Sequence, residues 1–169
     1  MNPFEAMHAH ALENEVCMAA VVARLAHKTH LWGGESFYKT HVMTTVERIK
    51  EDERADSNCM IVGFLMNAIN ETDLMIDELI IMGFNHVVIQ ILEVLLRRDK
   101  EEYFGYIMRI ADYPICRFIK EKELEERLSK TPREKVEHQL YSRALHTLEG
   151  YNNAENFRQL GDGASPKPH

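Results

Sequence analysis

The stretch that most constrains this chain is residues 61–73, Ile-Val-Gly-Phe-Leu-Met-Asn-Ala-Ile-Asn-Glu-Thr-Asp. It opens after Ser57-Asn58 as an unbroken apolar run, the pattern of a helix buried on most of its sides. Polar residues then enter at Asn67, Asn70 and Glu71, spaced i, i+3 and i+4, so they share one face. Amides and a carboxyl buried there are costly unless something satisfies them. The segment reads either as a central helix whose polar end is the floor of a site, or as a helix that surfaces near Asn67.

Helical spacing recurs through the rest of the chain, and almost nothing alternates apolar with polar. Residues 11–28 form a first long helix, with Val16, Ala19, Ala20, Ala23 and Ala26-His27 on a stripe of mostly small residues suited to close packing. Residues 31–36 contain Trp-Gly-Gly-Glu-Ser, a loop by composition. A helix over 37–50 and a charged link over 51–57 lead into the central helix. Thr72 caps a short helix over 73–82 that Gly83 closes. A helix over 85–96 ends in Arg97-Arg98, where positive charge suits a C-terminus. Asp99 caps a helix over 101–111, Pro114 fits the first turn of one over 115–129, and a last helix over 132–149 stops at Gly150. The expected fold is all-α: one domain over residues 1–150, then a polar, weakly ordered tail over 151–169.

A net charge of −7 disfavours general nucleic-acid binding, which needs a basic face. Cys17, Cys59 and Cys116 are odd in number and widely spaced, as free thiols in a reducing compartment are. No apolar stretch approaches the roughly 18 residues of a membrane span, and no leader opens the sequence. The expectation is a cytoplasmic protein without membrane partners.

Separated pieces of the sequence then fall into one order. They are Ala26-His27-Lys28, Gly34-Glu35-Ser36-Phe37-Tyr38-Lys39-Thr40-His41 and Leu65-Met66-Asn67-Ala68-Ile69-Asn70-Glu71-Thr72. Arg97-Arg98 with Glu101-Glu102-Tyr103-Phe104-Gly105-Tyr106-Ile107 follow, then Pro114 to Leu124, and Leu140-Tyr141-Ser142-Arg143-Ala144-Leu145. Over residues 16–148 this order resembles the HD-domain phosphohydrolases, and within them the alarmone (guanosine tetra- and pentaphosphate) pyrophosphohydrolases. The resemblance implies an HD-domain-like orthogonal helical bundle. It also implies a divalent metal, commonly manganese, held by two histidines, a His-Asp pair and a later Asp, with a Glu-Asp pair that positions and activates water.

On this sequence the first two ligand positions fall on His27 and His41. The His-Asp pair falls on Met66-Asn67, the later Asp on Glu123, and the Glu-Asp pair on Asn70-Glu71. Met66 offers a soft thioether to an ion that prefers oxygen and imidazole. Asn67 offers a carbonyl oxygen without charge, and Asn70 cannot take a proton from water near neutral pH. The remnant shell is thus His27, His41 and Glu123, with no intact set of catalytic groups and no cofactor expected unless manganese or a similar ion still binds. His30, one turn past His27, is a replacement ligand or an ordinary loop-edge histidine. Arg127 stands where the family usually has Asn, one turn after Glu123, and can close the metal position with an internal salt bridge.

The first functional expectation is a catalytically degenerate HD-domain protein that binds a guanosine-type nucleotide or a protein partner. For a nucleotide, Lys28, Lys120 and Arg127 are the expected phosphate contacts, each within a turn of a former ligand position. The rivals are an active phosphohydrolase with a rebuilt metal shell and a purely structural interaction module. Small members of the family are often homodimers, although no stripe in this sequence demands one.

Overall fold

The computed structural model describes residues 2–162, with side chains as far as Glu155. Eight α-helices and one two-stranded hairpin make up these residues, so the all-α expectation holds. The central helix is α3, Ser57–Glu71, and it is buried from Cys59 to Ile69 on most of its faces. Asp56 caps it, its carboxylate accepting from the Cys59 N–H. Around α3 pack α1 (Pro3–Ala26), α2 (Met43–Lys50), α5 (His86–Leu95) and α7 (Pro114–Lys130). The approach of α2 is close enough that a Cβ on Gly63 would stand 2.7 Å from Ile49 Cδ1. On the far side α8 (Val136–Asp162) lies against α6 (Tyr103–Ala111) and α7. Ile61, Leu65, Leu92, Leu95, Ile107, Ile110, Ile119 and Leu124 fill the core between these layers.

Several boundaries differ from the sequence reading. Helix α1 begins at Pro3, not residue 11, because Asn2 and Glu5 form a capping box around Pro3 in the first turn. The 31–36 loop is a hairpin, Leu31–Trp32 (β1) against Glu35–Ser36 (β2), turned at Gly33 and Gly34 with φ of +61° and +86°. The expected 37–50 helix opens with a π-helical turn, Tyr38–Val42, before α2. Helix α4 (Ile76–Ile81) starts three residues later than expected. Thr72 Oγ1 accepts from Leu74 N–H, whereas the Glu78 carboxylate serves the first turn through Met75 N–H. Helix α6 starts at Tyr103, and Asp99 does not cap it.

Gly150 does not stop the last helix. Helix α8 runs through it to Asp162, because the following turn is tied down. Asn152 Nδ2 donates to Glu121, Arg117 Nε donates to Asn152 Oδ1, and Arg117 Nη2 pairs with Glu155. Residues 163–169 of the expected tail lie outside the described residues. Among the described residues, no helix is long and apolar enough to cross a membrane.

Candidate functional site

Four elements bring the sequence-predicted residues together. The end of α1 supplies His27, and the turn after it His30. The π-helical turn supplies His41, the polar end of α3 supplies Met66, Asn67, Asn70 and Glu71, and one face of α7 supplies Lys120, Glu123 and Arg127. Residues 120, 123 and 127 line up because i, i+3 and i+7 share a helix face. The inserted residue of a π turn re-aims the helix locally, and here it carries His41 inward to full burial.

Glu123 is the centre. It has no exposed surface, and both its oxygens are engaged. Lys120 Nζ donates to Oε2 at 2.7 Å, Arg127 Nε donates to Oε1, and His41 Nε2 stands 3.1 Å from Oε1. Burial alone pushes the Glu123 carboxyl up, but Arg127, Lys120 and His41 outweigh it and hold the group well below the usual carboxylate range. An ionised carboxylate only accepts, so His41 carries its proton on Nε2. Its Nδ1 is buried without a partner.

Arg127 reaches further. Its Nη2 donates to Asn67 Oδ1 at 3.4 Å and pairs with Glu71 Oε1. The other Glu71 oxygen stands 3.9 Å from His30 Nε2, and His30 Nδ1 stands 3.1 Å from His27 Nδ1. Two facing Nδ1 atoms need one donor and one acceptor, so the rings hold different protonation at that position. Burial, then His30 and His41, lower the His27 pKa to about 4, so His27 is neutral at pH 7. Phe37 packs among the three rings, stacked on His30 at 4.1 Å and tilted toward His27 and His41 at 5.0 and 4.8 Å.

As arranged, these side chains do not fit a divalent cation. The oxygens that would face the ion already hold two cationic side chains, and Met66 presents a buried thioether. Among the described residues no three His, Cys, Asp or Glu side chains converge as a ligand set. His27 Nε2, His41 Nδ1 and Asn67 Nδ2 are nevertheless buried without partners.

Asn70 is committed to the backbone. Its Nδ2 donates to the Met66 and Leu95 carbonyls, and its Oδ1 accepts from Arg97 N–H, which ties α3 to the end of α5. The three expected phosphate contacts divide. Lys120 and Arg127 line a cavity of about 210 Å³ with Met66, Asn67, Glu71 and Arg97. Lys28 is exposed and lines a separate cavity of about 630 Å³ beside Leu25 and Met82. The sequence assigned Arg97 only to a helix end and gave Tyr103, Tyr106 and Tyr141 no site role beyond the segments that carry the resemblance, yet all four line the smaller cavity. The i, i+3 spacing of Tyr103 and Tyr106 was the available signal. Compared with known proteins, the chain matches no family model and no curated protein.

Proposed function

We propose that this chain is a catalytically degenerate, HD-like helical domain that acts in the cytoplasm by binding, its ligand an anionic, guanosine-type nucleotide that presents its phosphate end. One observation carries the reading. Glu123, the position that would anchor a metal, is saturated by Lys120, Arg127 and His41, so positive charge is supplied by the protein itself. Hydrolysis needs the ion and a base, whereas binding needs only shape and a few polar groups. The cavity in front of Arg127 is lined by Arg97, Lys120, Arg127 and Glu71, with Glu123 behind Lys120 and Arg127, so three cations stand against two carboxylates. At about 210 Å³ it takes a phosphate end and leaves a nucleoside outside.

The rival reading, a working phosphohydrolase with a rebuilt shell, draws on the orphaned nitrogens of His27 and His41. One experiment separates the two. The chain is incubated with manganese and guanosine tetraphosphate, and pyrophosphate release is followed beside metal-free calorimetry with the same nucleotide. The binding reading expects no release above background and a dissociation constant below millimolar. Metal-dependent turnover overturns it in favour of the enzyme. Absence of both leaves a protein partner as the object of binding.

A further inference from the structure

Because α1 begins at Pro3, it carries a stripe that the shorter sequence-predicted helix does not contain. Phe4, Met7, Ala11, Met18, Val21 and Leu25, with Asn14 between Ala11 and Met18, alternate spacings of three and four residues. That is the a/d pattern of a two-helix coiled-coil seam. Apart from Met18, which packs partly on the core, the stripe is not the face that α1 buries. Ala19 and Ala23 are sealed against the body, while Phe4, Met7, Val21 and Leu25 are 78%, 66%, 57% and 62% exposed and Met18 is half-buried. The first ten residues described, Asn2 to Ala11, are exposed apart from Ala6. Beside the C-terminal half of the stripe, Leu25, Leu74 and Met82, the last 44% exposed and just past the end of α4, line the cavity of about 630 Å³.

We propose that this stripe is the interface of an antiparallel homodimer in which α1 packs on α1 of a second copy. Asn14 sits at the midpoint between Phe4 and Leu25, so a two-fold axis there sets the stripe against itself. The exposed first turns of each copy, with Phe4 and Met7, then cover Val21, Leu25 and the α4 cavity of the other. The stripe is roughly 32 Å long at 1.5 Å per residue and about 10 Å wide. That extent, about 640 Å² over both copies, lies below the standard range of stable interfaces, so the dimer is a weak, transient one rather than an obligate one. A lipid surface fits less well, because a membrane-lying helix has a Lys/Arg-rich polar face. The charged groups of α1 are Glu5, Glu13, Glu15 and Arg24.

Sedimentation equilibrium on the full chain tests this, with a monomer–dimer equilibrium in the micromolar range expected. Met7→Lys combined with Val21→Lys, both at exposed positions, should weaken the dimer at least tenfold and leave the far-ultraviolet dichroism unchanged. In a Cys17→Ser background, an oxidised equal mixture of Phe4→Cys and Leu25→Cys chains should form a cross-linked heterodimer, while neither chain alone cross-links. A chain monomeric at several hundred micromolar overturns the proposal, whatever else the surface binds, as does a dimer indifferent to the lysines. Self-cross-linking of Phe4→Cys overturns the antiparallel arrangement.

Discussion

Arg127 stands one helical turn beyond Glu123 on α7, and its guanidinium donates to a carboxylate that has no exposed surface. Lys120, one turn before, holds the other oxygen at 2.7 Å. A buried carboxylate flanked by two cations is a strongly coupled unit. Removing one member leaves charge stranded, whereas replacing all of them with apolar groups of similar volume is often close to neutral.

Glu123→Gln should therefore destabilise the fold by about 3–5 kcal/mol, read from urea unfolding. Lys120→Met, Glu123→Leu and Arg127→Met made together should recover most of the loss. The same Glu123→Gln change releases Arg127 toward the cavity, so nucleotide binding measured by calorimetry should tighten in it. A loss below about 1 kcal/mol, the level of an exposed ion pair, would show that the three groups are not coupled.

Two of the buried groups shape the acid side of the stability profile at the site. His27 has a folded pKa lowered to about 4 from 6.5 by burial, His30 and His41. Between those values the unfolded chain binds a proton that the folded chain does not, so stability falls as pH drops from 6.5 toward 4. The slope approaches about 1.4 kcal/mol per pH unit for one proton. Glu123 is held well below 4.5, so its contribution is present above the unfolded value and is lost only as pH falls further, through the folded one. Urea unfolding between pH 7 and pH 4 should show the first loss, and His27→Gln should flatten it. An unchanged slope in that variant would assign the proton elsewhere.

The continuation of α8 past Gly150 makes a third prediction, opposite to the one the polar composition of 152–169 suggests. Arg117 is 2% exposed and depends on Asn152 and Glu155 for two of its hydrogen bonds. Truncation after Gly150 leaves it with the Ala111 carbonyl and removes Tyr151, which packs on the core. Calorimetric melting should show a drop in Tm of more than about 4 °C, roughly the effect of 1 kcal/mol in a domain of this size. Arg117→Met in the truncated chain should restore part of it, since no buried cation then lacks partners. An unchanged Tm would mean that these contacts carry no net stability.

Periodicity made the helices legible, and the apolar run over 61–73 located the most buried one. What it did not reveal has identifiable causes. A π turn has the same composition as the helix around it, so only packing shows that His41 is turned inward. The start of α1 was written in Asn2-Pro3-Phe4-Glu5, a capping signal that precedes the apolar stripe rather than lying in it. The end of α8 was not legible, because Gly150 is an ordinary stop signal that tertiary contacts through Asn152 and Glu155 override. At the site, the Glu123–Arg127 pair follows from i, i+4 spacing. The separation of Lys28 from Lys120 does not, because spacing near a ligand position says nothing of the direction in which a long side chain leaves its helix.

The last prediction concerns how a metal could be made to bind. Installing only the residues that the HD-domain resemblance implies, Met66→His, Asn67→Asp, Asn70→Glu, Glu71→Asp and Glu123→Asp, adds an imidazole and a carboxylate that could reach an ion but leaves Arg127 and Lys120 at residue 123. A cation already paired there competes with the ion for the same oxygens, and the repulsion between guanidinium and metal opposes entry. The five changes should therefore raise manganese affinity only weakly. Adding Arg127→Asn removes the competing charge and leaves an amide of modest size, so affinity should rise by a further tenfold or more, about 1.4 kcal/mol. Electron paramagnetic resonance of free manganese measures both forms directly and does not require turnover. Equal affinity with and without Arg127→Asn would show that the guanidinium does not block the position. No binding by either form would show that the frame around His27 and His41 does not admit an ion.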